Sequence, residues 1–398
     1  MLSHSNPLHA RGGKRNDERR GQQFSVMELK KSTAEVANLF KCIMMVYIGG
    51  PIIVMGIITS ILSLLMFKRD TATSSATRLL LSTIAATDIL FLVCCFIFWT
   101  VKEIFSGSPT LVAFLNSPFV YGFLFYICNV FELQRNWLVV VLAVERLLFF
   151  LKPLEFKSIW SLSRVRGIII LVILLSCLFR IPVLIYGIAK HDASLDPAVA
   201  RLTKLIHSLT DCILLTILPV TVMAVLSTLT AARVRAVIET KRRLDNDCVS
   251  SVAGPSMPSV SHSGAVATEA IKEQKKEGYA SNCSADKAGA QTHNRVIKIL
   301  HTVLITFIIF CSPAVVSTTV HAYVAFHKIT SGPVDVVSKI LAPISNVGSL
   351  LNSTSNFFVY IIQSRRYQKI IAEMLMLDRC GLKKFLKVTN KPAENSSG

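Results

Sequence analysis

The sequence predicts an all-α membrane protein, a bundle of seven transmembrane helices followed by a short membrane-parallel eighth helix. Three observations predict it. Hydrophobic residues make up 52% of the 398 and charged residues only 17%, with a mean hydropathy of +0.53. The apolar residues gather in seven blocks, roughly 43–67, 77–101, 117–150, 166–188, 206–231, 297–325 and 335–362. Each suits a helix of the ~20 apolar residues needed to cross a ~30 Å hydrocarbon core. Finally, the basic residues alternate. The segments after blocks one, three, five and seven hold 27 Lys and Arg, counted to their edges, against 7 after blocks two, four and six. Short cytoplasmic loops collect Lys and Arg, so the N-terminus is expected outside and the C-terminus inside. A membrane β-barrel would instead show short alternating segments.

Residues 1–42 are expected to form an extracellular tail. They hold eight Lys/Arg and four acids, an unusual balance for an exported segment, and no apolar run in 1–35 marks a cleavable signal peptide. The first span then acts as its own insertion signal. Residues 43–231 carry helices one to five. The long connection 232–296 contains DNDCVSSVAGPSMPSVSHSGAVATEA, rich in Ser, Ala, Gly and Pro. Such a composition buries too little apolar surface to order itself, so a disordered third cytoplasmic loop is expected. Its basic ends, Lys241-Arg242-Arg243 and Lys275-Lys276, are candidates to continue the flanking helices into the cytosol and to touch anionic lipid. Residues 297–362 carry helices six and seven. Residues 363–378 read as an amphipathic eighth helix and 379–398 as a cytoplasmic tail. Cys380, just inside the membrane, is a candidate for palmitoylation.

The net charge of +19 does not indicate nucleic acid, because the bases lie between apolar blocks and no nucleic-acid motif accompanies them. The ten cysteines are scattered, with neither zinc nor disulfide-framework spacing, so neither metal nor cofactor is expected. His207 and Asp211 have the i, i+4 spacing a metal could use, but no further ligand is in reach by sequence. They read as pocket-lining polar groups.

Ionisable residues inside spans are expensive and mark function or paired interior sites. Helical rise places Asp88 of block two and Arg135 of block three each roughly 16 Å from the inner side. Asn352, Ser353 and Asn356 lie in or near the same layer. Too deep to reach a headgroup, Arg135 is expected to bridge Asp88 with Asn352 or Asn356. Glu132, on the same helix face, competes for the guanidinium.

Glu145-Arg146-Leu147, followed by Lys152-Pro153-Leu154, resembles the Glu/Asp-Arg-Tyr end of helix three in rhodopsin-like G-protein-coupled receptors. The seventh block, LLNSTSNFFVYIIQSRRYQKI, resembles the Asn-Ser-x-x-Asn-Phe-x-x-Tyr form found in invertebrate FMRFamide-type neuropeptide receptors. Asp88, Trp137, Pro219, Phe307 and Pro313 match further residues of the family, and the resemblance covers 43–378. It implies a receptor that transmits extracellular ligand binding to a heterotrimeric G protein through Glu145, Arg146 and Tyr360. An amidated peptide is one ligand class it implies. Glu103, Asp211 and Glu132 would suit the cationic group of such a ligand. Cys311 falls where the family has a pocket tryptophan on helix six.

The chain departs from the family at other positions. Ser60 replaces an Asn, and Leu175 lies near the level of a Trp. Tyr121 replaces the helix-three cysteine, while residues 187–205 contain none, so the usual outer disulfide cannot form. Arg135 replaces a Ser beside a sodium site, which suggests a built-in cation. A membrane transporter using intramembrane Asp, Glu and Arg is the alternative. Transporters tend to show internal repeats, and none is visible here. No Gly-x-Ser-x-Gly or metal-ligand cluster indicates an enzyme.

Overall fold

The structure is a computed structural model. It describes residues 35–105, 107–152, 154–191, 196–252, 305–324 and 332–375, with a few isolated residues beside them. Seven helices are long and apolar enough to cross a membrane. They are α1 Glu35–Arg69, α2 Ser75–Ile104, α3 Pro118–Phe149, α4 Leu162–Ala189, α5 Arg201–Arg233, α6 Ile305–Val324 and α7 Pro333–Ile362. A shorter helix, α8 Arg365–Met374, follows. Among the described residues there is no strand.

The helix starts follow local chemistry. Ser74 accepts from the Thr77 amide at 3.2 Å, capping α2. Asp196 accepts from the Ala198 amide at 2.8 Å ahead of Pro197, which opens the helical segment leading into α5. Pro118 and Pro333 open α3 and α7, where a missing N–H costs nothing. Gly332, with φ 122°, supplies the turn before Pro333 that a Cβ would strain. Ser364 caps α8 by accepting from the Tyr367 amide.

Three wide π-helical turns interrupt the spans, at Ile43–Ile48, Phe96–Val101 and Asp211–Ile217. Such turns often accompany functional sites. Span α4 breaks at Arg180, just before Pro182, which has no N–H to continue the ladder.

Apolar packing forms three clusters. One, at the end of the bundle that carries Arg146, joins Phe67, Leu80, Leu138, Trp160 and Phe357. A second, toward Glu103, joins Phe91, Phe98, Tyr121, Cys128 and Leu350. The third, at mid-bundle, joins Val139, Val140, Met223, Phe307 and Cys311. Helices α3 and α4 touch backbone to backbone at Gly122 and Gly187. A Cβ on Gly187 would lie 2.7 Å from the Gly122 Cα, so neither position admits a side chain. The outward faces carry apolar residues such as Ile170, Leu171, Leu174 and Leu178, as expected of helices bathed in hydrocarbon.

Several boundaries differ from the sequence reading. The first span starts at Glu35 rather than 43, because the polar residues ahead of the apolar block continue the helix. The helix of α5 runs on to Val252, into the connection expected to be disordered from 232. The rest of that connection lies outside the described residues. Between α4 and α5 the chain is largely helical, with segments reaching His191 and resuming at Pro197. The eighth helix covers 365–374 of the expected 363–378. Cys380 and the tail 379–398 lie outside the described residues, as do nearly all of residues 1–34. The described cysteines are all free. Where relatives carry a helix-three cysteine, Tyr121 packs against Phe98 and Phe125, with ring centroids 5.1 and 6.1 Å away.

Candidate functional site

At the Glu103 end the helices enclose a cavity of about 410 Å³. Aromatic walls come from Phe98, Trp99, Tyr121, Phe125 and Tyr186, and polar groups converge from α2, α3, α5 and α6. Glu103, Asp211 and Glu132 all line it. Each acid already has a partner. Glu103 pairs with Lys41 of α1 at the rim, where the side chains are 24% and 46% exposed. Asp211 pairs with Arg180, whose side chain is fully buried. Glu132 accepts the Ser349 hydroxyl of α7. His207 stacks edge-on against Phe125, with its Nδ1 3.4 Å from Asp211 Oδ2.

Cys311 is not part of this lining. It sits deeper, packed among Val139, Met223 and Phe307, and Ala314 on the next turn reaches the cavity instead. Its expected place in the ligand pocket is thus corrected.

The wide turn Asp211–Ile217 brings two α5 carbonyls to α3. Asn136 Nδ2 donates to the Leu215 carbonyl at 3.0 Å and Trp137 Nε1 to the Leu214 carbonyl at 3.2 Å. These bonds fix α3 against α5 directly under the cavity.

Below the cavity lies the intramembrane polar layer. Asp88 takes the Ser353 hydroxyl at 2.5 Å and the Asn356 amide at 3.0 Å, one on each oxygen. The expected Arg135–Asp88 bridge does not form. Arg135 lies over the Phe91 ring at 4.8 Å and donates to Asn136 Oδ1, to the Ser349 carbonyl at 3.2 Å and to the Ser349 hydroxyl at 3.3 Å. Nor does it contact Glu132 directly, because the Ser349 hydroxyl stands between them. Two α7 serines one turn apart therefore sort the charges, Ser349 to Arg135 and Glu132, Ser353 to Asp88. Asn352 is buried on α7 but bonds neither Arg135 nor Asp88. Gln134, on the other side of α3, donates to Thr87 Oγ1 at 3.1 Å.

Toward the opposite end, Asp88, Asn356 and Tyr360 border a void of about 10 Å³, close to the least that holds one water. Tyr360 packs edge-on against Phe67, with centroids 5.7 Å apart. Glu145 is 1% exposed and takes the Thr77 hydroxyl of α2. Among the described residues no ion pair joins Glu145 to Arg146, the two coupling residues that the resemblance implied. Adjacent helix residues do not face each other, and Thr77 claims the acid first.

Arg180 is the residue that sequence reasoning missed. It lies within block four, and an arginine next to Ile-Pro in an apolar run is the signal that could have found it.

The family model for the seven-transmembrane receptor of the rhodopsin family matches residues 59–360. The chain belongs to that family, and is a multi-pass membrane receptor. No curated protein matches the chain. Membership in a receptor family disfavours the transporter alternative.

Proposed function

We propose that the chain is a plasma-membrane receptor that passes the binding of an extracellular ligand, an amidated neuropeptide, to a heterotrimeric G protein. The observation that carries this reading is the polar column that joins the two ends of the bundle along α3 and α7. It consists of two hydrogen-bonded groups one turn apart on α7, Glu132 with Ser349 and Arg135 at the cavity lining, then Ser353 with Asp88. Asn356 and Tyr360 bring it to the end that carries Glu145 and Arg146. A ligand that disturbs Glu132 changes what Ser349 holds, and so moves α7. Tyr360 travels with α7, and the face around Arg146 opens to the G protein. The charge alternation of the loops supports the orientation, with the cavity outside and Arg146 inside.

The three cavity acids differ in availability. Arg180 holds Asp211 inside the wall, and Glu132 is committed to Ser349. Among the described residues Glu103 pairs with Lys41 at the partly exposed rim, so it is the acid that a peptide guanidinium can capture by displacing the lysine. Cells expressing the full chain should be challenged with a panel of amidated peptides and amines, read by second messenger. An arginine-containing amidated peptide should activate, and Glu103→Gln should reduce its potency about tenfold or more, the loss of a charge-assisted bond worth ~1.5–3 kcal/mol. Unchanged potency in Glu103→Gln would remove Glu103 from the ligand site.

A further inference from the structure

A second recess, of about 510 Å³, opens on the outside of the bundle at the Arg146 end, between the start of α2 and the start of α4. Three bases from three elements line it: Lys68 at the end of α1, Arg78 on α2 and Arg166 on α4. Ser75 and Ser82 lie between them, with Leu79 and Leu162 as apolar floor. No acid lines it.

Asp70, between α1 and α2, makes no ion pair with these bases. Asp70 is 1% exposed, and its carboxylate is taken by Arg366 of α8 and by the Thr73 hydroxyl at 2.6 Å. Arg78 donates from Nη1 to the Asp70 backbone carbonyl at 3.1 Å, which orients the guanidinium and leaves its charge uncompensated. Two helix N-termini also meet here, at Ser75 and Leu162. The residue ahead of α4, Ser161, makes no side-chain cap bond, so the first amides of α4 have no side-chain acceptor from it. Amides at a helix N-terminus and converging cations both favour a phosphate.

We infer that this recess binds the headgroup of an anionic phospholipid, with the acyl chains lying along the apolar outer faces of α2 and α4. A lipid fits better than a soluble phosphate. The recess opens sideways beside apolar residues such as Ile170 and Leu174, both more than half exposed. Basic recesses between membrane helices on the cytoplasmic side are suited to such headgroups. The inner leaflet follows from the orientation proposed above, whereas the site itself does not depend on ligand or G protein.

The test uses the full chain in phosphatidylcholine nanodiscs containing a few per cent of phosphatidylinositol bisphosphate, with retained lipid counted by native mass spectrometry. The wild type should retain the anionic lipid. Lys68→Gln/Arg78→Gln/Arg166→Gln should bind it on the order of a hundredfold more weakly, from the worth of three bases near a lipid surface. A control triple with the same charge loss elsewhere, Arg233→Gln/Arg235→Gln/Lys369→Gln, should lose less than about tenfold. The charge-conserving Arg78→Lys/Arg166→Lys should stay near wild type, which separates lost binding from lost folding. Free inositol trisphosphate should not displace the lipid. Equal losses in the two Gln triples, or displacement by the free headgroup, would overturn the inference.

Discussion

Arg135→Ala is expected to yield little folded receptor. Arg135 is 1% exposed, and its guanidinium shares the intramembrane layer with two acids, Glu132 and Asp88. One of them, Glu132, reaches it through a single hydroxyl, that of Ser349. Removing the guanidinium strands Glu132, vacates the space over Phe91 and takes away the side-chain donor to the Ser349 carbonyl. Breaking a buried charge arrangement on one side costs ~3–5 kcal/mol. Thermal unfolding of the detergent-purified variant should show that loss. Adding Glu132→Gln should recover part of it. Adding Asp88→Asn should recover less, because Asp88 takes its bonds from Ser353 and Asn356. Arg135→Lys should fall between, since an ammonium cannot span Asn136 and Ser349 with a rigid fork. Equal rescue by the two second-site changes would mean that Ser349 does not sort the charges as described.

Asp211→Asn is expected to be nearly as damaging, for a different reason. The Arg180 side chain has no exposed surface, and of its three nitrogens only Nη1 has a partner, Asp211. Its Nε and Nη2 are buried without an acceptor. Neutralising Asp211 leaves a full charge unbalanced in the wall between α4 and α5, again at ~3–5 kcal/mol. The double variant Arg180→Met/Asp211→Asn removes both charges and the orphaned donors. It should return to within ~1 kcal/mol of wild type or exceed it, as buried pairs replaced by apolar groups often do. Unfolding midpoints of the two variants and the wild type measure this. A neutral effect of Asp211→Asn alone would show that the pair contributes nothing.

The bundle was legible because length, hydropathy and loop charge are all one-dimensional properties. Depth was legible too, since 1.5 Å of rise per residue brings Asp88 and Arg135 to similar levels from residue counts alone. Rotation was not. Whether Arg135 meets Asp88 or Ser349 depends on where α3 and α7 face each other, and on a long side chain that prefers the Phe91 ring. Cys311 shows the same limit. Its position in the family pattern is a pocket position, but a side chain of its size stays in the cluster with Met223 and Phe307. Arg180 was not legible as a buried charge, because the break before Pro182 that turns it inward is a property of the folded helix. The continuation of the α5 helix into the basic end 241–243 was legible, but its further run to Val252 was not, because the composition after residue 243 resembles a linker.

Nucleotide exchange on purified G proteins tests the central claim most directly. The full-length receptor, in lipid nanodiscs, should accelerate GTP-analogue binding to at least one Gα subtype, either basally or with an activating peptide from the panel. Arg146→Ala, at equal amounts of folded receptor, should lose at least about tenfold of that rate. The account predicts this because Arg146 lies at the end proposed to open toward the G protein, and its side chain is only partly buried. Exchange by Arg146→Ala as fast as by the wild type, or no acceleration of any Gα by the wild type in either condition, would contradict it.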